Sequence, residues 1–187
     1  MENCMWIKFD LEGMKFEIQI KNQHRNTKYF DADDWAEVSF NVQFQNIIQY
    51  VKENDEILMW GEIENLIQTI KELSINKIKK TETVYFVEPD FEFVFEPDPE
   101  VNTEPKPDIK SDYFCGSLDK NVDMRLNIYL WDNDGMLTEN YMSLDFGRQD
   151  IYEFYIYLLL VAGKIKKTDD RVQELINKGR IYGDDII

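Results

Sequence analysis

Nucleophiles, metal ligands and cofactor motifs are scarce in this sequence. Its 187 residues include two cysteines and one histidine, and no C-x-x-C or paired Cys/His pattern indicates a zinc or redox site. No phosphate-binding glycine loop, G-x-S-x-G or H-E-x-x-H motif occurs. His24 lies beside Arg25 with no identifiable nucleophile or carboxylate partner, and we interpret it as a surface histidine. We therefore predict no catalytic residue, no cofactor and no metal.

Long apolar runs are also missing. The longest, Tyr155–Ala162, is far shorter than the roughly 20 residues that a transmembrane helix needs. The first residues combine neither a basic region nor a long apolar segment, so no secretion signal is expected. Cys4 and Cys115 are expected to be free thiols, because their separation in the sequence indicates no disulfide. Together these features predict a cytoplasmic protein that does not bind membranes.

Positive charge is sparse: 21 Lys and Arg stand against 37 Asp and Glu, a net charge of -16 at pH 7. Such a charge opposes binding to nucleic acid and favours encounter with a basic protein. The basic cluster at 164–167 is too small to indicate a nucleic-acid footprint. Between Glu82 and Asp112 lie ten acidic residues and two lysines, which carry a net charge of -8, half of the total. A solvated face that serves only solubility is the alternative interpretation of this run.

The aromatic-rich stretch Thr81–Pro99 is the structural centre that the pattern predicts. It indicates two strands joined by a turn over Glu88–Asp90, because proline and aspartate suit tight turns. In the second strand Phe91, Phe93 and Phe95 lie on one side, and acidic residues alternate with them on the other. We therefore predict a hairpin with a core face and a charged face.

Alternating apolar residues predict further strands on both sides of this hairpin. They cover Trp6–Leu11, Phe16–Ile20, Val38–Phe44, Ile47–Val51, Ile57–Trp60, Met124–Leu130 and Met142–Phe146. We interpret Asn54-Asp55 and Asp132–Gly135 as turns between neighbouring strands. The second is not a calcium loop, since EF-hand spacing would place Leu130 and Tyr141 where oxygen ligands are required.

Three helices are expected. A helix near Glu62–Leu73 is predicted by an apolar stripe with helical spacing, and Gly61 ends the strand before it. An almost wholly apolar helix follows over Asp150–Ala162, whose first residue and Glu153 form a capping-box pair. The last is a short helix over Asp169–Lys178 capped by Thr168. The stripe of the first helix consists of Ile63, Leu66, Ile67, Ile70 and Leu73.

These elements predict a single α+β domain over residues 1–187. Its main feature is a mainly antiparallel β-sheet, or meander, with two or three covering helices. Four of the five prolines fall between Glu96 and Asp112, which predicts an exposed acidic Pro-rich loop at about 97–112. Residues 164–187 are expected to form a short helical C-terminal extension. The polar segment Asn22–Asp33 is interpreted as another exposed loop.

Three stretches carry a resemblance to a known family. They are M-K-F-E-I at Met14–Ile18, Asp34-Trp35 at the start of an alternating strand, and F-V-E-P-D-F-E-F at Phe86–Phe93. In this order, with an amphipathic helix before the last, they resemble the WapI-type immunity proteins of bacterial polymorphic-toxin systems. The resemblance covers about Met14–Phe95 and extends to the strand and helix at Met142–Ala162. It implies a small bacterial cytoplasmic protein that binds and neutralises a toxin domain without enzymatic activity.

Charge and resemblance together predict a basic protein partner, most simply a toxin domain. The contact surface we predict combines the acidic side of the hairpin, the following loop and one aromatic anchor: Tyr85, Glu88, Asp90, Glu92, Glu96, Asp98 and Glu100. An acidic cytosolic binding or adaptor domain with another partner is the alternative. A carboxylate-based hydrolase is a more distant one, because carboxylates are plentiful but evenly spread.

Overall fold

The computed structural model describes residues 5–21, 34–75, 77–97, 123–132 and 134–183. Over these ranges the chain forms nine strands and three helices: β1 Trp6–Leu11, β2 Met14–Lys21, β3 Trp35–Phe44, β4 Ile48–Met59, α1 Trp60–Ser74, β5 Glu82–Tyr85, β6 Phe91–Glu96, β7 Asp123–Trp131, β8 Leu137–Phe146, α2 Arg148–Val161, α3 Asp170–Asn177 and β9 Ile181–Tyr182. Contacts divide the chain into two units, Met1–Glu64 with Glu153–Ile187, and Asn65–Tyr152. The single-domain organisation stays a prediction.

The described strands form two sheets with antiparallel pairing throughout. Their orders are β4-β3-β2-β1-β9 and β5-β6-β7-β8. The α+β class and the antiparallel pairing are confirmed, whereas the single sheet that we expected is replaced by two. Alternation marks a strand but not its partner, and α1 separates β4 from β5 in the chain. The second sheet therefore starts anew after this helix.

The five-stranded sheet buries one apolar face, as its alternation predicts. Phe16 and Phe40 are fully buried, and the β1–β2 turn has positive φ at Glu12 and Gly13, as a two-residue hairpin loop requires. The ring of Phe154 in α2 meets that of Phe9 edge-on, with the ring centres 6.1 Å apart. Aromatic packing of this kind fixes the helix against β1.

The hydroxyl of Tyr157 in α2 links the ends of two strands. It accepts a hydrogen bond from the backbone N–H of Ile20 at 2.9 Å and donates one to the carbonyl oxygen of Met5 at 3.0 Å. The side chain is fully buried, and this burial raises the pKa of Tyr157 above its ordinary value. The hydroxyl therefore keeps its proton and satisfies two backbone groups where the β1–β2 ladder ends.

We expect Tyr157→Phe to lower the free energy of unfolding by about 1–3 kcal/mol, because two buried backbone groups lose their partner. Urea unfolding followed by circular dichroism measures this change. Tyr182→Phe is the matched control, since its half-exposed hydroxyl donates only to the Glu17 carboxylate, at 2.9 Å. An equal or larger loss of unfolding free energy in the control would contradict the stabilising role of the two hydrogen bonds that the Tyr157 hydroxyl makes.

β4 corrects one expectation. The predicted turn at Asn54-Asp55 is wrong, because β4 continues past it with two irregularities in its pairing to β3. Asn54 has a φ of 53°, its backbone N–H donates to Ser39 Oγ at 2.9 Å, and its side chain accepts from Lys21 Nζ. An asparagine with positive φ is therefore accommodated at a bulge inside a strand, where the pattern suggested a turn.

The first two helices begin earlier than predicted. α1 starts at Trp60, so Gly61 lies within its first turn, and all five residues of its predicted stripe are buried. α2 starts at Arg148, two residues before the expected cap. Asp150 therefore lies inside the first turn, and the interpretation of Asp150 and Glu153 as a capping box at the helix start is wrong. The buried carboxylate of Glu153 lies 2.9 Å from the Nε of Arg180. A partner 27 positions along the chain is invisible to a local capping pattern.

The C-terminal segment is more than a helical extension. The cap of α3 is Asp169 instead of Thr168, and the helix ends before Gly179, whose φ of 66° suits a glycine after a helix C-terminus. β9 then adds a strand to β1, where Trp6 pairs with Tyr182 and their rings stack 6.5 Å apart. Two residues are too few to show alternation, so the sequence did not indicate this strand.

We expect Asp169→Asn to destabilise the chain by about 0.5–1 kcal/mol at pH 7. The Arg171 guanidinium donates to both carboxylate oxygens of Asp169, at 2.9 and 2.8 Å, and this bonding lowers the pKa of Asp169 from its ordinary 3.8. A lowered pKa gives stability that is present above the unfolded-state pKa and is lost as the pH falls through the folded-state pKa. The difference between the two proteins in urea unfolding should therefore shrink as the pH falls through the folded-state pKa of Asp169. A difference that stays constant with pH would contradict this role of the charge.

Several predictions fall outside the described residues. They concern Cys4, Cys115, His24, the segment Asn22–Asp33, the acidic loop beyond Pro97, and the contact residues Asp98 and Glu100. Over the described part of the chain, no helix combines the length and apolar character needed to cross a membrane.

Candidate functional site

The predicted hairpin forms the start of the four-stranded sheet and has the two faces that its pattern indicated. β5 and β6 pair antiparallel, with Val84 opposite Phe93. Phe91, Phe93 and Phe95 are buried, whereas Glu92 on the other face is half-buried. Side chains alternate along a strand, so the buried phenylalanines define an inner face and Glu92 lies on an outer face.

Register places one row of polar side chains across all four strands of this outer face. Tyr85 of β5 lies opposite Glu92, Glu92 opposite Asn127 of β7, and Asn127 opposite Ser143 of β8. Directly opposite residues share a face and lie about 5 Å apart. The next row brings Tyr129 of β7 opposite Tyr141 of β8. Residues from four separate strands therefore converge around Glu92.

The Glu92 carboxylate is held by two donors. The Nδ2 of Asn127 donates to its Oε1 at 2.7 Å, and the hydroxyl of Tyr129 donates to its Oε2 at 3.2 Å. Ser143 Oγ in turn donates to Asn127 Oδ1 at 2.9 Å, which orients the amide. Burial, followed by the charge of Glu92, raises the pKa of Tyr129 above its ordinary value. The network fixes a negative charge in the middle of the outer face.

Aromatic side chains on the same face are exposed to solvent. Tyr85 is 71% exposed and Tyr141 is 53% exposed. The rings of Tyr129 and Tyr141 lie 5.6 Å apart at an angle of 52°. Exposed tyrosines are typical of surfaces that bind proteins, because tyrosine supplies apolar area and a polar tip.

One cation lies among the strand residues of this face. Arg125 of β7 donates from Nε to Asp145 at 2.8 Å, and its guanidinium lies 3.8 Å from Glu96. The hydrogen bond to Asp145, followed by the charge of Asp145, raises the pKa of Arg125. All three side chains are well exposed, so the pairs contribute little stability. Two carboxylates around one guanidinium leave this corner of the face acidic.

The predicted contact residues differ in their exposure to solvent. Tyr85 is the most exposed of them, and Glu88, Glu92 and Glu96 are half-buried. Asp98 and Glu100 lie outside the described residues. The four described residues other than Asp90 therefore present at least part of their side chains to solvent.

Asp90 has another role than surface contact. It is 2% exposed, and its Oδ1 accepts a hydrogen bond from the indole Nε1 of Trp131 at 2.8 Å. Its carbonyl oxygen accepts from the backbone N–H of Tyr129 at 3.0 Å, which extends the β6–β7 pairing by one position. We correct the interpretation of Asp90 from a contact residue to one that joins the turn to β7. The sequence showed a turn aspartate but not the indole that lies against it.

Sequence reasoning also missed three residues of this face. Asn127, Tyr129 and Tyr141 contact Glu92 or one another, yet none was predicted as part of the site. Alternation did place Tyr129 on the side of β7 opposite its buried residues. The missing information was the register between β6 and β7, which no local pattern supplies.

The turn between β7 and β8 is confirmed. Oδ1 of Asp132 accepts backbone hydrogen bonds from Asp134 at 3.0 Å and Met136 at 2.8 Å, and Gly135 has a φ of 73°. The carboxylate of Asp132 thus binds the backbone of its own turn. Among the residues that the structure describes, no group of three or more His, Cys, Asp or Glu has a metal-binding arrangement.

Comparison with known protein families shows the family of this chain. The model of the Immunity protein WapI-like family matches residues 6–159, most of the chain. The chain belongs to this family. An immunity function follows in general terms, and the resemblance at Met14–Ile18 and Phe86–Phe93 is confirmed. No curated protein and no solved structure matches the chain.

The family match covers β1 to β8 and most of α2. It includes every residue of the outer face from Tyr85 to Asp145. α3 and β9 lie beyond it. The candidate site therefore belongs to the part of this immunity protein that the family model describes.

Proposed function

We propose that this WapI-like immunity protein binds and neutralises a cognate, basic toxin domain without enzymatic activity. The observation that carries the proposal is the outer face of the four-stranded sheet, where Asn127 and Tyr129 hold the carboxylate of Glu92 beside exposed tyrosines. The chain that carries this face belongs to an immunity protein family. Neutralisation takes place in the bacterial cytoplasm, as the resemblance to this family implied. No step of the proposal requires a catalytic residue or a cofactor.

Charge supports a basic partner. Glu88 and Glu92 have no lysine or arginine within ion-pair distance in the described part of the chain, and Glu96 shares Arg125 with Asp145. A net charge of -16 attracts a basic domain over distance, and local carboxylates then orient it. Basic charge is common in toxins that cut nucleic acid, so complementarity gives both a faster encounter and specificity.

The contact surface that we propose starts at Tyr85, Glu88, Glu92 and Glu96. Asp98 and Glu100 continue the same acidic run in the sequence and stay part of the proposal on that ground. Asp90 accepts a hydrogen bond from the indole of Trp131 and so joins the turn to β7. The aromatic anchor and the acidic rim follow the usual composition of protein interfaces.

The test is neutralisation of the toxin domain encoded beside this chain. Cells that express that domain should survive when this chain is co-expressed, and the purified pair should form an equimolar complex. Inhibition of the toxin in vitro should be complete at one equivalent of this chain, because each molecule of this chain inactivates one toxin molecule by staying bound to it. Neutralisation far below one equivalent would indicate turnover and contradict a non-enzymatic mechanism. Survival equal to that of cells without this chain would contradict the function itself.

A further inference from the structure

On the outer face Tyr85 and Tyr129 flank the carboxylate of Glu92, and Tyr141 packs against Tyr129. We call this set the tyrosine platform: Tyr85, Tyr129, Tyr141 and Glu92. Tyr85 reaches it from β5 on one side, and Tyr129 and Tyr141 from β7 and β8 on the other. Tyr85 and Tyr141 are among the most exposed large side chains of the described residues. Exposed aromatic rings on several strands mark an interaction surface, because such area is costly to leave in water.

Glu92 keeps acceptor capacity for a ligand. A carboxylate offers about four acceptor positions, and Asn127 and Tyr129 occupy one on each oxygen. In the described part of the chain no lysine or arginine lies within ion-pair distance of Glu92. The platform therefore presents a fixed negative charge with one free acceptor position on each oxygen, between the side chains of Tyr85 and Tyr129.

The surrounding charge selects a cation as occupant. The nearest strand cation on this face, Arg125, lies in the neighbouring row and is already paired with Asp145 and Glu96. An anionic ligand would be repelled by a net charge of -16. A purely apolar segment would bury the charge of Glu92 without a partner, which is costly.

Guanidinium fits this chemistry better than ammonium. It is planar, stacks on aromatic rings, and donates two parallel hydrogen bonds that match the two oxygens of a carboxylate. We propose that the tyrosine platform binds an arginine side chain of the toxin, with the guanidinium on Glu92 and between the rings of Tyr85 and Tyr129. This inference rests on the proposed function for the source of the arginine, and on the geometry alone for the site.

The test uses small probes with the full chain. Nα-acetyl-arginine methylamide is titrated into protein with ¹³C-labelled tyrosine, and aromatic NMR resonances are followed; the lysine and norleucine analogues are the comparison probes. We expect the arginine probe to shift Tyr85, Tyr129 and Tyr141 on one common binding curve. The buried Tyr157 should not shift. Lysine should bind more weakly, and norleucine should not shift these resonances.

Matched variants separate the platform from total charge. Glu92→Gln keeps the size of the side chain but removes its charge and one of its two acceptor oxygens, and should weaken arginine binding about fivefold. Tyr85→Leu should weaken it about two- to fivefold, the range of exposed cation–π contacts. Glu53→Gln removes one charge from an exposed position on β4 and should leave the affinity unchanged.

Each result decides one of the two proposals. Equal loss in Glu92→Gln and Glu53→Gln, equal binding of lysine, or no shift of the three tyrosines would overturn the arginine site. Toxin neutralisation without probe binding would overturn the site and leave the proposed function standing. Probe binding at the platform without toxin neutralisation would support the site and overturn the proposed function.

Discussion

Association with the toxin domain should slow about 10- to 100-fold at low salt when Glu88 and Glu96 are both changed to lysine. Glu96 is the last residue of β6 and Glu88 lies in the bend before this strand, so the substitution makes two carboxylates of the proposed contact surface basic. Long-range attraction sets the rate at which a basic domain finds this face, and its loss acts mainly on association. Stopped-flow fluorescence at two or more salt concentrations measures the rate and its salt dependence.

The matched control changes total charge equally at another place. Glu53 and Glu56 are exposed on β4 of the other sheet, and their double change to lysine alters net charge by the same amount. We expect this control to slow association much less than the change at Glu88 and Glu96. Thermal melting must show that both variants fold. Equal slowing would mean that total charge matters and this face does not, and no slowing in either would argue against a basic partner.

Phe95→Ala should lower the free energy of unfolding by about 3–5 kcal/mol. Phe95 is fully buried on the inner face, stacks on Phe93 with ring centres 6.5 Å apart, and lies opposite Met124. Its loss leaves a cavity that neighbouring side chains fill only in part, which adds to the lost burial of a large ring. Urea unfolding monitored by circular dichroism gives the change in free energy.

Val94→Ala serves as the comparison for this prediction. Val94 is the neighbouring residue on the outer face and is half-buried, so its truncation should cost about 1 kcal/mol or less. Toxin binding by Phe95→Ala should recover at temperatures where the variant is folded, since Phe95 does not belong to the outer face. Similar costs for the two variants would contradict the assignment of the buried face.

Local patterns identified most of the elements. Alternation placed the strands from Trp6 to Phe44 and from Met124 to Phe146, and the stripe from Ile63 to Leu73 marked a buried helix face. Gly163 and Gly179 have the positive φ that a helix stop requires. These features depend on residues a few positions apart, so the sequence shows them directly.

The site was predictable only in part. Tyr85 and Glu92 were identified because charge and aromatic residues are concentrated in one hairpin, and both lie on the outer face. The tyrosines that join them belong to strands more than thirty positions away, and their place depends on register. Asp90 was misread for the same reason, since its partner Trp131 is 41 positions distant.

The sequence by itself determined most of the strands and helices, the acidic charge and the two faces of the central hairpin, because each arises from neighbouring residues. Tertiary structure alone decided that the strands form two sheets, that β9 pairs with β1, and that Asn127 and Tyr129 hold the carboxylate of Glu92. The physical reason is that pairing between distant strands is selected by the burial of whole faces and by the satisfaction of backbone groups. These energies belong to the assembled sheet, and no short stretch of the chain contains them.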